Sequence, residues 1–202
     1  GGDAGVNYIA NPDGEANTSG WRTCAAAAAA PPGARTPGSP PLPWSSSTTS
    51  PLRGTGNFLA TKDAANRQGE GVSYDFAIDR VDQAKAHTIS LEFEVGSGTF
   101  QQGNDSQVSD LAVYVYDVTN STIIQPAGYK LTGGATGQFK YQGNFQTASN
   151  SQSYRLCLHQ AVSGTSAYTL KVDTVKVSPE MRVFGSPVTD WASYTPTFSA
   201  GF

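Results

Sequence analysis

Glu92 and Glu94, in the run HTISLEFEV (87–95), are the carboxylates in this 202-residue chain whose spacing best suits acid–base chemistry. Two positions apart on an extended strand, they project from one face roughly 6.5–7 Å from each other, within reach of the separation used in glycoside hydrolysis. Adjacent outward acids on a wetted sheet face are common, however, and nothing in the sequence marks either one as desolvated. The solvated pair is therefore the expected reading. His87 and His159 are the two histidines, and neither lies in a pattern that recruits it to a Ser-His-Asp arrangement. GxSxG, HExxH, phosphate-loop and dinucleotide fingerprints are all missing from the sequence, which predicts a protein that is not an enzyme. A different chemistry is suggested near the start. Asn11, Asp13, Glu15 and Asn17 recur at every second position in NPDGEAN, and such oxygen-rich turns suit a hard cation such as calcium, although polar turn residues also cluster at strand ends for other reasons.

The elements that must carry these residues are strands. In VSYDFAID (72–79), Val72, Tyr74, Phe76 and Ile78 share one face, while Ser73, Asp75 and Asp79 share the other. Ile89, Leu91, Phe93 and Val95 alternate with Ser90, Glu92 and Glu94; Leu111, Val113 and Val115 oppose Tyr114 and Tyr116. FKYQGNF (139–145), SYRLCLHQ (153–160) and AYTLKVDTVKV (167–177) continue the pattern, and residues 7–24 suggest one or two opening strands. Six or more alternating strands joined by turns predict an all-β fold of two antiparallel sheets packed face to face. The alternation slips once. Tyr168, Leu170 and Val172 lie on one face but Val175 and Val177 follow, so a β-bulge is predicted around Asp173 and Thr174, with the Asp173 side chain placed to bind something.

Composition narrows the partners. Charged residues are 14% of the chain, the net charge is −3 and the pI is near 5.3, so the basic surface that a phosphate backbone selects is missing and nucleic acid is not expected as a partner. No apolar run approaches the roughly 20 residues of a membrane span, and GGDAGVNY at the start lacks the basic and apolar regions of a signal peptide. Seven of the 12 prolines fall in residues 25–51, which predicts a long Pro-rich loop at 31–51, since proline removes ladder donors. Cys24 and Cys157 have no CxxC spacing; a disulfide between distant strands and two isolated thiols are both open.

NYIANPDGE followed by GW, together with YTLKVDTVKVSP near residue 179, resembles the two ends of the jelly-roll carbohydrate-binding modules. In that family an Asn-Pro-x-x-Glu opening precedes Gly-Trp, and the last strand carries an Asp followed by a β-branched residue. The resemblance covers roughly residues 7–179 and implies a jelly-roll β-sandwich over 1–179. It also implies a structural Ca2+ held by Glu15 and Asp173; the second acid that often follows the family's Asp is Thr174 here. Modules of this kind bind sugar on aromatic rings with polar neighbours, because sugar C–H faces stack on rings while hydroxyls need amides and carboxylates. The outward residues Tyr114, Tyr116, Glu92, Glu94, Arg155 and His159 form such a set if their strands share a sheet, and Trp44 in the Pro-rich loop is a second candidate. The alternative is that the tyrosines pack beneath that loop or against a neighbouring subunit.

Residues 180–202 break the strand pattern and read as an extended connector. VTDWASYTPTF (188–198) resembles the DW-x-SYTPT connector of tailed-phage tail and fibre proteins. That resemblance implies a virion component, a homotrimer in which sister chains bury Trp191, Tyr194 and Phe198 alongside other virion proteins, and adhesion to cell-surface glycan. A purely structural spacer or decoration, and an accessory module of a polysaccharide-degrading enzyme, are the alternative readings.

Overall fold

A computed structural model describes residues 6–25 and 42–180. Ten strands build two five-stranded antiparallel sheets. The first sheet, in the order β1-β4-β9-β6-β7, contains β1 (Trp21–Ala25), β4 (Glu70–Ala77), β9 (Ser153–Gln160), β6 (Leu111–Asp117) and β7 (Thr122–Ile124). The second, in the order β2-β3-β10-β5-β8, contains β2 (Trp44–Ser47), β3 (Asn57–Lys62), β10 (Tyr168–Pro179), β5 (Ala86–Gly98) and β8 (Gln138–Gln146). From β3 to β6 the chain changes sheet at every step, as it does again from β7 to β10, which is the jelly-roll path. Between β4 and β5 the only helical element among the described residues is a single 3-10 turn, Arg80–Asp82.

The period of two decides what the sheets enclose. Val72, Tyr74 and Phe76 of β4, Leu156 and Leu158 of β9, and Leu111, Val113 and Val115 of β6 meet Phe58, Ile89, Leu91, Phe93, Leu170, Val172 and Tyr141 from the other sheet in one apolar core. The predicted bulge is present in β10. Asp173 pairs with Glu92 and Lys176 with Ser90, so two residues stand opposite Leu91 alone. Thr174 takes a φ of 53°, an unusual backbone conformation for a β-branched residue, and Val175 returns to the core as the phase slip requires.

Residues 7–20 form no strand; they are an arm knitted to its surroundings. The arm continues the edge of β10 past the end of β3: Val175 N–H donates to Pro12 O at 2.8 Å, Tyr8 N–H to Val177 O at 2.9 Å, and the Asn7 side chain bonds Val175 O and Val177 N–H, each at 3.0 Å. Asn11 Nδ2 donates to Asn17 O at 3.0 Å and to Ser19 O at 3.1 Å, while Asn11 O accepts the Trp21 indole N–H at 2.9 Å. Gly20 between them has a φ of 87°, and a Cβ there would stand 2.5 Å from the Tyr74 ring.

One expectation changes, and the geometry bears on a second point that the sequence leaves open. The Pro-rich segment is not all loop: residues 44–47 are β2, paired with β3 at the sheet margin, and residues 31–41 lie outside the described ones. A WSSS run has no alternation to reveal a strand; pairing to β3 supplies it. The cysteines sit on β1 and β9 with β4 between them, opposite Gly71 and Ser73 respectively. Two strand spacings and the two-residue offset between Gly71 and Ser73 place their backbones more than ~10 Å apart, beyond the ~7 Å that a disulfide spans. Cys157 is fully buried on β9.

Gly20→Ala is expected to lower unfolding free energy by roughly 2 kcal/mol or more, because the substitution meets both a positive φ and the Tyr74 ring. Urea unfolding monitored by tryptophan fluorescence checks this, and an unchanged midpoint would contradict the close approach of Gly20 to Tyr74.

Candidate functional site

The sandwich presents two outer faces of different chemistry. On the first sheet, register aligns three rows across the strands. One row runs Asp75, Arg155, Tyr116, Ile123; the next Arg22, Ser73, Cys157, Tyr114; the third Gly71, His159, Ala112, Lys130. Asp75 links the first two rows. Its Oδ1 accepts Arg155 Nε at 2.6 Å, and its Oδ2 accepts Arg155 Nη2 at 3.4 Å and Arg22 Nη2 at 3.2 Å. The Arg155 guanidinium lies 5.7 Å from the centre of the Tyr116 ring, a cation–π arrangement that fixes the arginine on its aromatic neighbour.

Tyr114 stands between two rings on the same face, 5.6 Å from Tyr129 and 5.8 Å edge-on to His159, and Lys130 Nζ is 5.7 Å from the Tyr129 ring centre. Burial, with a further contribution from Tyr129, pushes the Tyr114 hydroxyl up to about 12, so it is protonated at neutral pH. The centre of the face is closed: Ser73, Cys157 and His159 are buried, as are Tyr114 and Tyr116. Exposure is kept at the flanks, where the side chains of Arg22 and Asp75 are 49% and 50% exposed and Tyr129 is half-buried.

Glu92 and Glu94 belong to β5 in the second sheet, whereas Tyr114, Tyr116, Arg155 and His159 belong to β6 and β9 in the first. The six residues therefore do not meet on one surface, and the two glutamates project from the opposite side of the molecule. Alternation assigns a residue to a face of its strand; it carries no information on which strands become neighbours. Each glutamate is paired across the surface. Arg53 Nη2 stands 3.0 Å from Glu92 Oε2, the Thr174 hydroxyl donates to Glu92 Oε1 at 3.1 Å, and Lys171 Nζ lies 3.9 Å from Glu94. No aromatic side chain stands on the outer face of this sheet's strands.

Trp44 also lies elsewhere than expected. On β2 its ring turns inward, stacked on Phe58 at 4.9 Å and 5.3 Å from Trp21, so it closes the margin of the core. Its indole N–H is buried without a hydrogen-bond partner among the described residues. His87 is fully buried beside Tyr8 and Phe145, with Nδ1 3.0 Å from Lys85 O. Trp191, Tyr194 and Phe198 lie outside the described residues.

The bulge brings Asp173 toward the arm. Asp173 is buried and accepts N–H bonds from Arg53 at 3.0 Å and Thr174 at 2.8 Å, yet burial, reinforced by the nearby carboxylates of Asp13 and Glu15, lifts its carboxyl to about 6. Glu15 is held down by the Thr55 hydroxyl at 2.7 Å and by the N–H groups of Thr55 and Gly56. Asp13, Glu15 and Asp173 are oxygen donors of like charge, a donor chemistry that suits a calcium ion. Among the described residues no three His, Cys, Asp or Glu side chains are gathered closely enough to hold a metal, so such an ion would draw further oxygens from backbone or water.

Arg22, Tyr129 and Lys130 carry no motif in the sequence, and alternation places Asp75 outward without assigning it a role. Arg22 follows directly from alternation after the inward Trp21, which was a usable signal. Tyr129 and Lys130 lie between strands in AGYKL, where no period points to them.

No protein-family model and no curated protein matches the chain. Solved structures share its fold. The CBM22-1 xylan-binding domain of Paenibacillus barcinonensis Xyn10C is 13% identical, with a TM-score of 0.53 over 85% of this chain and 94% of that one. TmCBM61 in complex with β-1,4-galactotriose is 13% identical, with a TM-score of 0.51 over 87% of this chain and 99% of that one. The enzymatically active domain of bacteriophage CBA120 tailspike protein 4 is 13% identical, with a TM-score of 0.51 over 87% of this chain and 22% of that one. The chain is thus a jelly-roll sandwich of the kind found in carbohydrate-binding modules.

Tyr114→Ala is expected to destabilise the protein by roughly 3 kcal/mol, as truncation of a buried aromatic does, whereas Glu94→Gln stays within about 0.5 kcal/mol because exposed ion pairs contribute little. Chemical denaturation of both variants checks the contrast; equal, small effects would mean that Tyr114 is an exposed platform.

Proposed function

We propose that this domain binds glycan on the outer face of the first sheet, and that it serves as a non-enzymatic adhesion module of a tailed-phage appendage. The observation that carries the binding reading is the half-exposed Asp75–Arg22 pair set beside Arg155 and Tyr116, with Tyr129 at the same surface. Guanidinium N–H groups address sugar oxygens while a ring edge or face takes the C–H surface of a sugar. The likeness to domains named for xylan and for β-1,4-galactotriose supports this use of the fold. The virion setting draws support from the likeness to a tailspike domain and from the DW-x-SYTPT resemblance at 190–197, and the trimer rests on that resemblance. The likeness to a xylan-binding domain also favours a second reading, an accessory module of a polysaccharide-degrading enzyme; a catalytic domain encoded next to this sequence would decide for it.

A glycan array followed by calorimetry tests the binding. Arg22→Ala and Tyr129→Ala are each expected to weaken binding by about tenfold, the equivalent of one lost charged or stacking contact. Retained affinity in both variants, with loss on substituting Glu92 and Glu94, would move the site to the opposite face.

Calcium at Glu15 and Asp173 is part of the same proposal, as a clamp between the arm and the last strand. Because an ion that binds only the folded state stabilises by mass action, 1 mM Ca2+ is expected to raise the melting temperature over EGTA-treated protein by several degrees. Glu15→Gln should abolish the difference. Identical melting curves in Ca2+ and EGTA would remove the ion from the account.

A further inference from the structure

We infer that the glycan bound on the first sheet carries a carboxylate, as a uronic acid does; this rests on the glycan-binding reading above. The argument is the balance of donors and acceptors on that face. Across its three rows the charged side chains are Arg22, Arg155 and Lys130 against the single acid Asp75, an excess of two positive charges on a chain whose net charge is −3. Asp75 is already occupied, since three guanidinium N–H groups converge on its two oxygens.

A neutral sugar hydroxyl both donates and accepts, so a site built for neutral glycan needs free acceptors as well as donors. Here the one carboxylate has its acceptor capacity turned to its own arginines. The half-exposed Arg22 touches no other acceptor than Asp75 Oδ2 among the described residues, which leaves most of its fork directed to a ligand. An incoming carboxylate matches that fork in shape and charge, as guanidinium pairs with carboxylates in two-point geometry. Asp75 then acts as a placeholder that keeps Arg22 and Arg155 oriented, and Arg155 is steadied from behind by the Tyr116 ring. The opposite face has no such imbalance at its acids, because Glu92 and Glu94 are each met by a basic partner and no ring among the described residues accompanies them.

The test compares matched glycans in pairs, such as a glucuronic acid-branched xylo-oligosaccharide and the same oligosaccharide after carboxyl reduction, by calorimetry with the full chain. The acidic member is expected to bind at least about tenfold tighter, with affinity falling several-fold between 50 and ~500 mM NaCl. Arg22→Gln should remove the preference. Asp75→Asn is the decisive second variant: it is expected to hold or strengthen binding of the acidic member, because it removes the internal negative charge that competes for the Arg22 fork, whereas a hydroxyl-accepting role for Asp75 would make the same change weaken every ligand. Equal affinity for both members of each pair would overturn the charge inference while leaving glycan binding intact. Binding to neither member of any pair would overturn both.

Discussion

Two layers of β-sheet can hold together only if each strand turns one row of apolar side chains toward the other layer, and this requirement fixes nearly everything else in the molecule. Because side chains alternate strictly along a strand, burying Val72, Tyr74 and Phe76 forces Ser73 and Asp75 outward, and burying Tyr154, Leu156 and Leu158 forces out Arg155, Cys157 and His159. The candidate binding face is thus the complement of the core. A one-residue slip in β4 or β9 would send Asp75 or Arg155 into the apolar interior, where an unpaired charge is strongly disfavoured. Register and site are the same property seen from two sides.

This explains which parts were legible in the sequence. The strands β4, β5, β6, β8, β9 and β10 were readable because each alternates over seven or more residues, and the bulge at Asp173–Thr174 was readable because an extra residue changes the phase in a way that composition cannot hide. Sheet membership was not readable. In a jelly roll the strands that pair are far apart in the chain, as β4 with β9 and β3 with β10, so Glu92 could be assigned a face but not a neighbour. Cover was equally invisible: the outward direction of Tyr114 follows from β6, but its burial depends on Tyr129, Val108 and Ala161, which lie between strands or at their ends. Trp44 shows the converse, a strand residue whose segment carries no strand period and whose inward direction comes wholly from pairing with Ala60.

The two faces illustrate how charge is partitioned once the core is settled. On the second sheet, acids and bases sit in opposition, and exposed pairs of that kind add little to stability but keep a long, wetted surface from attracting other strands. On the first sheet the arrangement is different in kind. One carboxylate gathers two guanidinium groups, so the charges do not cancel locally, and an aromatic ring lies under one of them. Folding alone gives no reason to collect two arginines on one acid at a half-exposed margin, since repulsion between them offsets part of the attraction. The surplus is what the proposed acidic ligand would balance.

The arm at the start of the chain supplies the last constraint, because it determines where Arg22 stands. Asn11 draws the turn of residues 11–19 together and accepts the Trp21 indole N–H through its own carbonyl, so the tryptophan enters the core in one orientation, among Phe58, Tyr74 and Trp44. Gly20 permits this approach because no side chain intervenes between the arm and the Tyr74 ring. With Trp21 locked inward, alternation leaves Arg22 the outward direction and the register with Ser73, one step from Asp75 on the neighbouring strand. The Gly-Trp step and the arginine after it are therefore one device: the apolar residue is buried so that the charged one is aimed.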